Sequence, residues 1–306
     1  MQDISDTNSQ ICIFKSDMMI LDKTWFLNKI NSFLSDDISN KMTHVDGSLM
    51  FRPEALVGFA SGDDPIFEQY KKIIGKFHLT PNEAFRWHYD ERGITGSFNK
   101  LSVVAYILPI SEETKRQNFE HSRKVHGMPG ERWANTRLFG EQANEKLQTY
   151  LIDELKKIGI NAFSPYVEKK LFKIHEEHEN GVWASNWSHR HMCFAAGLGS
   201  FGLSDGFINE KGIAHRCGSL IVEYELHSDA DGRPEDPYEF CNDCGDCIKN
   251  CPVNAISFEN RHDKTKCSQF VFSTVPYINE NYKIDIYSCG YCQCNVSCSD
   301  GIPVKR

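Results

Sequence analysis

The chain has 306 residues, of which 40% are hydrophobic and 25% charged, and its formal net charge is −8. This composition is typical of a folded globular protein and excludes a largely disordered chain. From Cys241 onward basic and acidic residues balance, so the excess acidity lies before that point and disfavours a nucleic-acid partner.

Targeting signals are absent from the part of the sequence where they are usually found. No apolar run of about 18 residues occurs anywhere in the chain. The N-terminal segment lacks both a basic start with an apolar core and a twin-arginine pair. We therefore expect a cytoplasmic protein that does not enter a membrane.

Two helices are predicted in the first hundred residues. TWFLNKINSFL begins with Thr24 as a plausible N-cap and then places apolar residues on one helical face. These residues are Leu27, Ile30 and Leu34. Thr80, Pro81 and Glu83 form a capping box with proline at the first helical position, which predicts a second helix start.

The middle of the chain predicts strands and a longer helix. LSVVAYILP, ending at Pro109, is typical of a strand covered on both faces. ANEKLQTYLIDELKKIG carries an apolar stripe and ends at Gly159, which predicts a helix. SLIVEYELH alternates apolar and acidic residues, so we expect a strand with one solvent-exposed face. A Gly- and Pro-rich stretch follows and places a domain boundary near Arg233.

Most of the twelve cysteines lie between Cys241 and Cys298, which suits metal ligation in a reducing compartment. CNDCGDCIKNCP is the C-x2-C-x2-C-x3-C-P run of two-cluster ferredoxins, in which three thiolates bind one [4Fe–4S] cluster and the fourth binds the other. Zinc is the alternative that such soft ligands leave open. The run comprises Cys241, Cys244, Cys247 and Cys251.

A second group of cysteines supplies one more thiol than a second cluster requires. It comprises Cys267, Cys289, Cys292, Cys294 and Cys298. The crossed pattern of two-cluster ferredoxins predicts that Cys298 completes the first cluster and that Cys251 joins the second. Cys294 is then the spare residue. The isolated Cys12, Cys193 and Cys217 are expected to be small buried hydrophobes.

The stretch WSHRHMCFAAGLGSFGLSDGFINEKGIAHRCGSLIV, followed by both cysteine groups, resembles epoxyqueuosine reductases and reductive dehalogenases. The resemblance implies an α+β fold, with a nitroreductase-like cobalamin-binding domain over residues 1–233. A small bacterial-ferredoxin-like domain with two [4Fe–4S] clusters then spans residues 234–306. It also implies that a glycine-rich turn lies against the corrinoid; its matching residues here are Gly197, Gly199, Ser200 and Gly202.

The sequence also departs from that family. The region before the glycine turn has no clear counterpart of the family's catalytic aspartate, and the chain lacks the helical-repeat extension that grips tRNA. Direct action on tRNA is therefore not expected, and the substrate is expected to be a small molecule. An external donor such as ferredoxin or flavodoxin is expected to supply the electrons.

Three residues are candidates for the chemistry of the large domain. His189 and His191 suit proton transfer because the histidine pKa lies near neutrality. Since they are two residues apart on a predicted helix, at most one should face a pocket. Arg137 offers a planar fork for a carboxylate, a phosphate or a corrin amide.

Three functional classes remain open from the sequence. The first is a cobalamin-dependent reductase. The second is an electron-transfer protein whose large domain binds a flavin or a partner protein. The third is a structural or sensing iron–sulfur protein. The cofactor that the purified protein retains distinguishes them.

Overall fold

The structure is a computed structural model that describes residues 21–304, so Cys12 lies outside the described residues. The helices are α1 (Lys23–Asp36), α2 (Ile66–Ile73), α3 (Pro81–Glu91), α4 (Glu112–Lys124), α5 (Glu131–Lys157), α6 (His189–Ala195), α7 (Asp246–Asn250), α8 (Lys264–Ser273) and α9 (Val275–Tyr282). The strands are β1 (Leu56–Ser61), β2 (Ser102–Pro109), β3 (Ala162–Phe163), β4 (Ile174–His178), β5 (Gly181–Ser185), β6 (Ser200–Phe201), β7 (Phe207–Ile208), β8 (His215–Val222), β9 (Ile256–Ser257) and β10 (Arg261–His262).

A four-stranded antiparallel sheet organises the larger part of the chain. Its strand order is β1-β2-β8-β3. β2 pairs with β8 over its whole length, from Ser102 opposite Val222 to Pro109 opposite His215. The remaining strands form three separate hairpin ladders, β4 with β5, β6 with β7, and β9 with β10.

Helices cover both faces of this sheet. On one face, Val104 and Tyr106 of β2 pack in a cluster with the apolar residues of α1 and α5. On the other face, Val103 and Ala105 pack with residues of α2, α3 and α6. Burial of these alternating side chains removes apolar surface from water on both sides and provides the main stabilisation of the sheet.

The predicted helices are present, with two corrections, one at a cap and one at a helix start. α5 begins at Glu131, twelve residues before the predicted Ala143, because residues such as Trp133 and Ala134 are buried there although the local sequence carries no apolar stripe. α3 begins with the complete capping box at Thr80 and Glu83. α1 begins after Asp22 rather than at Thr24, because the Asp22 carboxylate accepts a hydrogen bond from the Trp25 amide at 2.8 Å. Aspartate satisfies the free amides of a first helical turn as well as threonine does, so the two caps could not be separated by sequence.

The predicted strands are also present, but β8 differs from its expected exposure. All eight residues of β2 are buried, as the apolar run predicts. β8 ends at Val222, and its last six residues are buried on both faces, so the exposed face predicted for this strand is wrong. Leu220 packs towards α5 and Ile221 towards α6, and the acidic residues lie beyond the strand end. β8 is buried on both faces because α5 covers one face and α6 covers the other.

Helix α4 joins the sheet to the cysteine-rich segment. Lys115 donates to the Ser299 carbonyl at 3.2 Å, and His121 hydrogen bonds to the Tyr277 hydroxyl at 2.8 Å. Between them, Asn118 donates to the Cys289 carbonyl at 3.1 Å. Within residues 21–304 no helix is both long enough and apolar enough to cross a lipid bilayer.

The tight contact between β2 and β8 gives a first prediction. A Cβ at Gly218 would lie 2.1 Å from Cζ of the fully buried Tyr106, which is held by a hydrogen bond to Asn144. We expect Gly218→Ala to lower the free energy of unfolding by about 1–3 kcal/mol through overpacking. Urea denaturation measures it. Gly232→Ala is the control, since a Cβ added there would have nothing within 4 Å; equal stability of the two variants would contradict the packing account.

Candidate functional site

Four cysteines line one small cavity at the start of the cysteine-rich segment. We call Cys241, Cys244, Cys247 and Cys298 the first cysteine set; all four border this cavity together with Gly202, Leu203 and Ser204. Burial and the neighbouring Cys241 and Cys244 raise the pKa of the Cys247 thiol to about 12. Like charges this close cannot all ionise without a cation between them.

Four further cysteines approach one another in the same way. We call Cys251, Cys267, Cys289 and Cys292 the second cysteine set. Burial, followed by Cys267 and Cys251, raises the pKa of the Cys289 thiol to about 12. Burial and the thiols of Cys289, Cys267, Cys247 and Cys251 raise the pKa of Cys292 well above its ordinary value. The two sets are therefore adjacent, since Cys247 of the first set also acts on Cys292 of the second. Their division follows the crossed pattern predicted from the sequence.

Cys294 lies next to the second set, because Cys289 contributes, after burial, to the raised pKa of its thiol. Its thiol is fully buried, donates to the Gly290 carbonyl at 3.4 Å and accepts from the Asn118 amide at 3.5 Å. These contacts are those of a packed thiol, which is consistent with the prediction of a spare residue. Cys193 and Cys217 are also buried, as expected.

The donor chemistry of the two sets suits iron–sulfur clusters. Each set offers four soft sulfur donors, the number that a [4Fe–4S] cluster takes. Among residues 21–304 no three His, Cys, Asp or Glu side chains converge closely enough to hold a single metal ion. Ligation by the individual cysteines stays a prediction.

A much larger cavity of about 660 Å³ lies beside the sheet domain. Its volume falls in the range of roughly 300–1,000 Å³ that is typical of small-molecule and cofactor sites. Aromatic and aliphatic side chains form much of its wall, namely Ile66, Tyr70, Ile73, Trp183, Phe194 and Phe201. Trp183 has an unusual φ of 57° and 38% exposure, so an aromatic ring is held at the cavity in a disfavoured backbone conformation.

The second cysteine set reaches this cavity through two residues. His262 Nδ1 lies 3.3 Å from the Asp205 carboxylate, and Cys267 is a neighbour of the same imidazole. Burial opposes protonation of His262, but Asp205 and Cys267 beside it raise its pKa to about 9. Asp205 in turn lines the cavity. A short path of neighbouring side chains therefore connects a predicted cluster ligand to the cavity wall.

His191 faces the cavity. Its Nδ1 lies 2.8 Å from the Ser188 hydroxyl, and its second ring nitrogen has no hydrogen-bond partner among residues 21–304. Burial and then His78 and Arg190 hold the pKa of His191 well below its ordinary value. The imidazole is therefore neutral at pH 7, oriented by Ser188, and available to a ligand.

His189 and Arg137 lie together elsewhere, in a buried polar cluster between the sheet and α5. His189 Nδ1 lies 2.7 Å from the Ser219 hydroxyl, and burial lowers its pKa to about 4. Its Nε2 is buried and has no hydrogen-bond partner within the described part of the chain. As predicted, the two histidines do not share a face. Arg137 bonds to Glu141 at 3.3 Å and to the Tyr287 hydroxyl at 3.1 Å.

The glycine-rich turn packs mainly against the protein itself. A Cβ at Gly197 would lie 2.6 Å from the Asp229 carbonyl oxygen, and one at Gly199 would lie 2.2 Å from the Ile208 carbonyl oxygen. Ser200 is buried and accepts a hydrogen bond from the Phe240 amide at 2.8 Å. Gly202 borders the first cysteine set. Within this turn Phe201 lines the large cavity, and contact of the glycines with a cofactor stays a prediction.

Sequence reasoning missed several residues of the site. Tyr70, Asp205 and Lys264 line the cavity from three separate parts of the chain. The sequence contained one hint that His262 belongs to the site, because it lies five residues before Cys267. A single histidine at that distance from a cysteine is too common to predict a functional role. Glu141 forms an ion pair with Arg137. The only sequence signal for this contact is that the two residues are four positions apart on α5.

Buried neutral histidines predict a pH dependence of stability. Burial lowers the pKa of His78 from 6.5 to about 4, and the Ser188 amide donates to its Nε2 at 3.3 Å. Below pH 6.5 the unfolded chain takes up protons that the folded chain does not, so this contribution to stability is present above pH 6.5 and is lost as the pH falls towards 4. We expect His78→Gln to flatten the dependence of the unfolding free energy on pH in that window.

The measurement is urea denaturation at several pH values. His44→Gln, at an exposed position, is the control and should keep the wild-type slope. An unchanged slope in His78→Gln would contradict a neutral buried imidazole at this position.

Comparison with known proteins identifies one domain and one group of relatives. Residues 235–257 match the family model of the 4Fe–4S binding domain. Epoxyqueuosine reductase of Staphylococcus aureus is 30% identical over 140 residues, which cover 44% of this chain and 35% of the relative. Epoxyqueuosine reductase of Bacillus anthracis is 26% identical over 154 residues, which cover 49% of this chain and 34% of the relative.

A solved structure of a selenomethionine-labelled epoxyqueuosine reductase aligns with 78% of this chain and 60% of its own chain, with a TM-score of 0.35 and 14% identity. The matched segments of the two sequence relatives span about a third of those proteins' length. The chain thus shares part of its sequence with epoxyqueuosine reductases and contains a 4Fe–4S binding domain near its C-terminus.

Proposed function

We propose that this protein is an iron–sulfur oxidoreductase, a cobalamin-dependent reductase of a small molecule that receives its electrons through two [4Fe–4S] clusters. The observation that carries the proposal is the path from Cys267 through His262 and Asp205 to the large cavity. The partial similarity to epoxyqueuosine reductases and the matched 4Fe–4S domain support the same chemistry.

The two cysteine sets would each hold one cluster. Cys251 follows α7 directly and neighbours the second set, although it belongs to the same sequence run as the first. This crossing brings the two predicted clusters close together. An external donor such as ferredoxin or flavodoxin would deliver electrons to this module. We place the division between the two units near Arg233, with the ferredoxin-like unit after it.

The large cavity would hold the cobalamin in a nitroreductase-like domain. Its aromatic wall suits the flat face of a corrin, and its polar groups suit the amides around the ring. A bound corrinoid would supply a cobalt centre that can be reduced. His191, fixed by Ser188, would hold a hydrogen bond to the substrate or exchange a proton with it. Catalytic roles for His189 and Arg137 stay predictions, because neither residue lines the large cavity.

The substrate would be a small molecule. The relatives are named for epoxyqueuosine, so a modified nucleoside is the first compound to test.

Cluster number is the first test of this proposal. We expect about eight iron and eight sulfide per chain after anaerobic reconstitution, because two sets of four thiols are present. Cys292→Ser should lower both values, since Cys292 neighbours three other thiols of the second set. Cys294→Ser is the matched control and should leave them unchanged. Elemental and sulfide analysis gives the numbers.

About four iron per chain, or stoichiometric zinc, would contradict the two-cluster proposal. A loss of iron in Cys294→Ser but not in Cys292→Ser would show that the spare cysteine is wrongly assigned.

Corrinoid uptake is the second test. We expect the protein to bind cobalamin with the lower base detached and no histidine in its place, because the resemblance implies this state. Trp183→Ala should weaken binding by about tenfold, through loss of an aromatic contact in the cavity. Absorbance titration under anaerobic conditions measures both the affinity and the axial ligation.

Tyr224→Ala is the control, since Tyr224 is also a solvent-exposed aromatic residue, at 42%, but does not line the cavity. A base-on spectrum, or no uptake of any corrinoid, would refute the cofactor. Retention of a flavin in place of a corrinoid would favour the electron-transfer class.

A further inference from the structure

The large cavity holds charged groups of both signs, and three of the six Asp, Glu, Arg and Lys side chains on its described wall have an ion-pair partner. Arg233 donates to the Asp64 carboxylate at 2.9 Å, so these two charges neutralise each other. Asp205 contacts His262 at 3.3 Å. The remaining charged side chains on the wall are Arg190, Lys264 and Glu235.

Arg190 and Lys264 differ from these paired groups. Among residues 21–304, neither cation has a carboxylate oxygen within 4.0 Å, so neither forms an ion pair. Arg190 donates instead to the backbone carbonyl of Asp205. The two cations are close enough that Arg190 helps to lower the pKa of Lys264, after burial, while Asp205 opposes this. Both cations thus lie on the wall of one cavity and close to Asp205, whose carbonyl accepts from Arg190 and whose carboxylate acts on Lys264.

The side chains of Arg190 and Lys264 are solvent-exposed, so water and salt screen their mutual repulsion in the empty site. A shared anion would pair with both cations at once. A guanidinium offers two parallel donors that match phosphate oxygens, and an ammonium adds a mobile point charge. The aromatic wall lies in the same cavity, so a ligand with an anionic end and a flat apolar body would meet both surfaces.

We propose that Arg190 and Lys264 form a phosphate-binding subsite of the large cavity. This inference rests on the proposed function only in taking the cavity as the ligand site. The phosphate can come from two sources, the nucleotide loop of a corrinoid or the phosphate of a nucleotide substrate. Both present the same anion to the two cations.

Titration calorimetry on the full-length, cluster-loaded protein tests the subsite with inorganic phosphate as the probe. Arg190→Gln and Lys264→Gln should each weaken binding by about tenfold, through loss of one charge-assisted hydrogen bond. Lys266→Gln is the matched control, because Lys266 lies on the same helix, pairs with Asp263 and does not line the cavity. Binding should also weaken as the salt concentration rises.

Two pairs of ligands separate the sources. For the cofactor, we compare the affinity for cobalamin with the affinity for cobinamide, which lacks the phosphate. For the substrate, we compare a purine nucleoside 5′-monophosphate with its nucleoside. We expect the phosphate-bearing member of one pair to bind about tenfold more tightly, and the double variant to abolish that difference.

Wild-type affinity for phosphate in both variants, or equal affinities within both ligand pairs, would overturn the subsite. Phosphate affinity that the variants do not alter, together with normal corrinoid uptake, would remove the subsite and leave the proposed function intact. Phosphate binding that depends on both residues, without any corrinoid uptake, would remove the cobalamin proposal and leave the subsite intact.

Discussion

The close backbone approach at the turn after α6 is the constraint on which the site depends. Gly197 and Gly199 leave no room for a Cβ, because the Asp229 and Ile208 carbonyl oxygens occupy that space. The residues that follow then face three different surroundings. Phe201 lines the large cavity, Gly202 borders the first cysteine set, and Asp205 contacts His262 beside the second set. One short segment thus connects sheet, cavity and cysteines.

Electrostatics explains why the cysteine-rich segment needs a cation to complete it. Burial and neighbouring thiols raise the pKa of Cys247 and Cys289 to about 12, so without metal these groups stay protonated. Bound iron would remove that penalty by bonding to the thiolates, which would couple folding to metal binding. Helix α4 holds the segment at two points, since Lys115 donates to the Ser299 carbonyl beside Cys298 of the first set and Asn118 donates to the Cys289 carbonyl in the second set.

Sequence reasoning succeeded where the signal is local. The capping box at Thr80 and the buried run of β2 specify their elements without distant partners. Cysteine spacing likewise predicted a 4Fe–4S binding domain, whereas the division of the thiols between two clusters stays a prediction. Sequence reasoning failed for β8, whose second face is covered by helices far away in the chain. The cavity could not be predicted either, because its wall combines residues as distant as Tyr70 and Lys264, and no spacing rule connects them.

The central claim is that electrons pass from the second cluster to a ligand in the cavity. Anaerobic stopped-flow absorbance measures this directly, by mixing the full-length protein with pre-reduced clusters against a saturating corrinoid. The account predicts that the clusters are reoxidised as the corrinoid is reduced, and that Trp183→Ala, which weakens corrinoid binding in the cavity, raises the corrinoid concentration needed for this transfer. Clusters that remain reduced while the corrinoid is fully bound would contradict it.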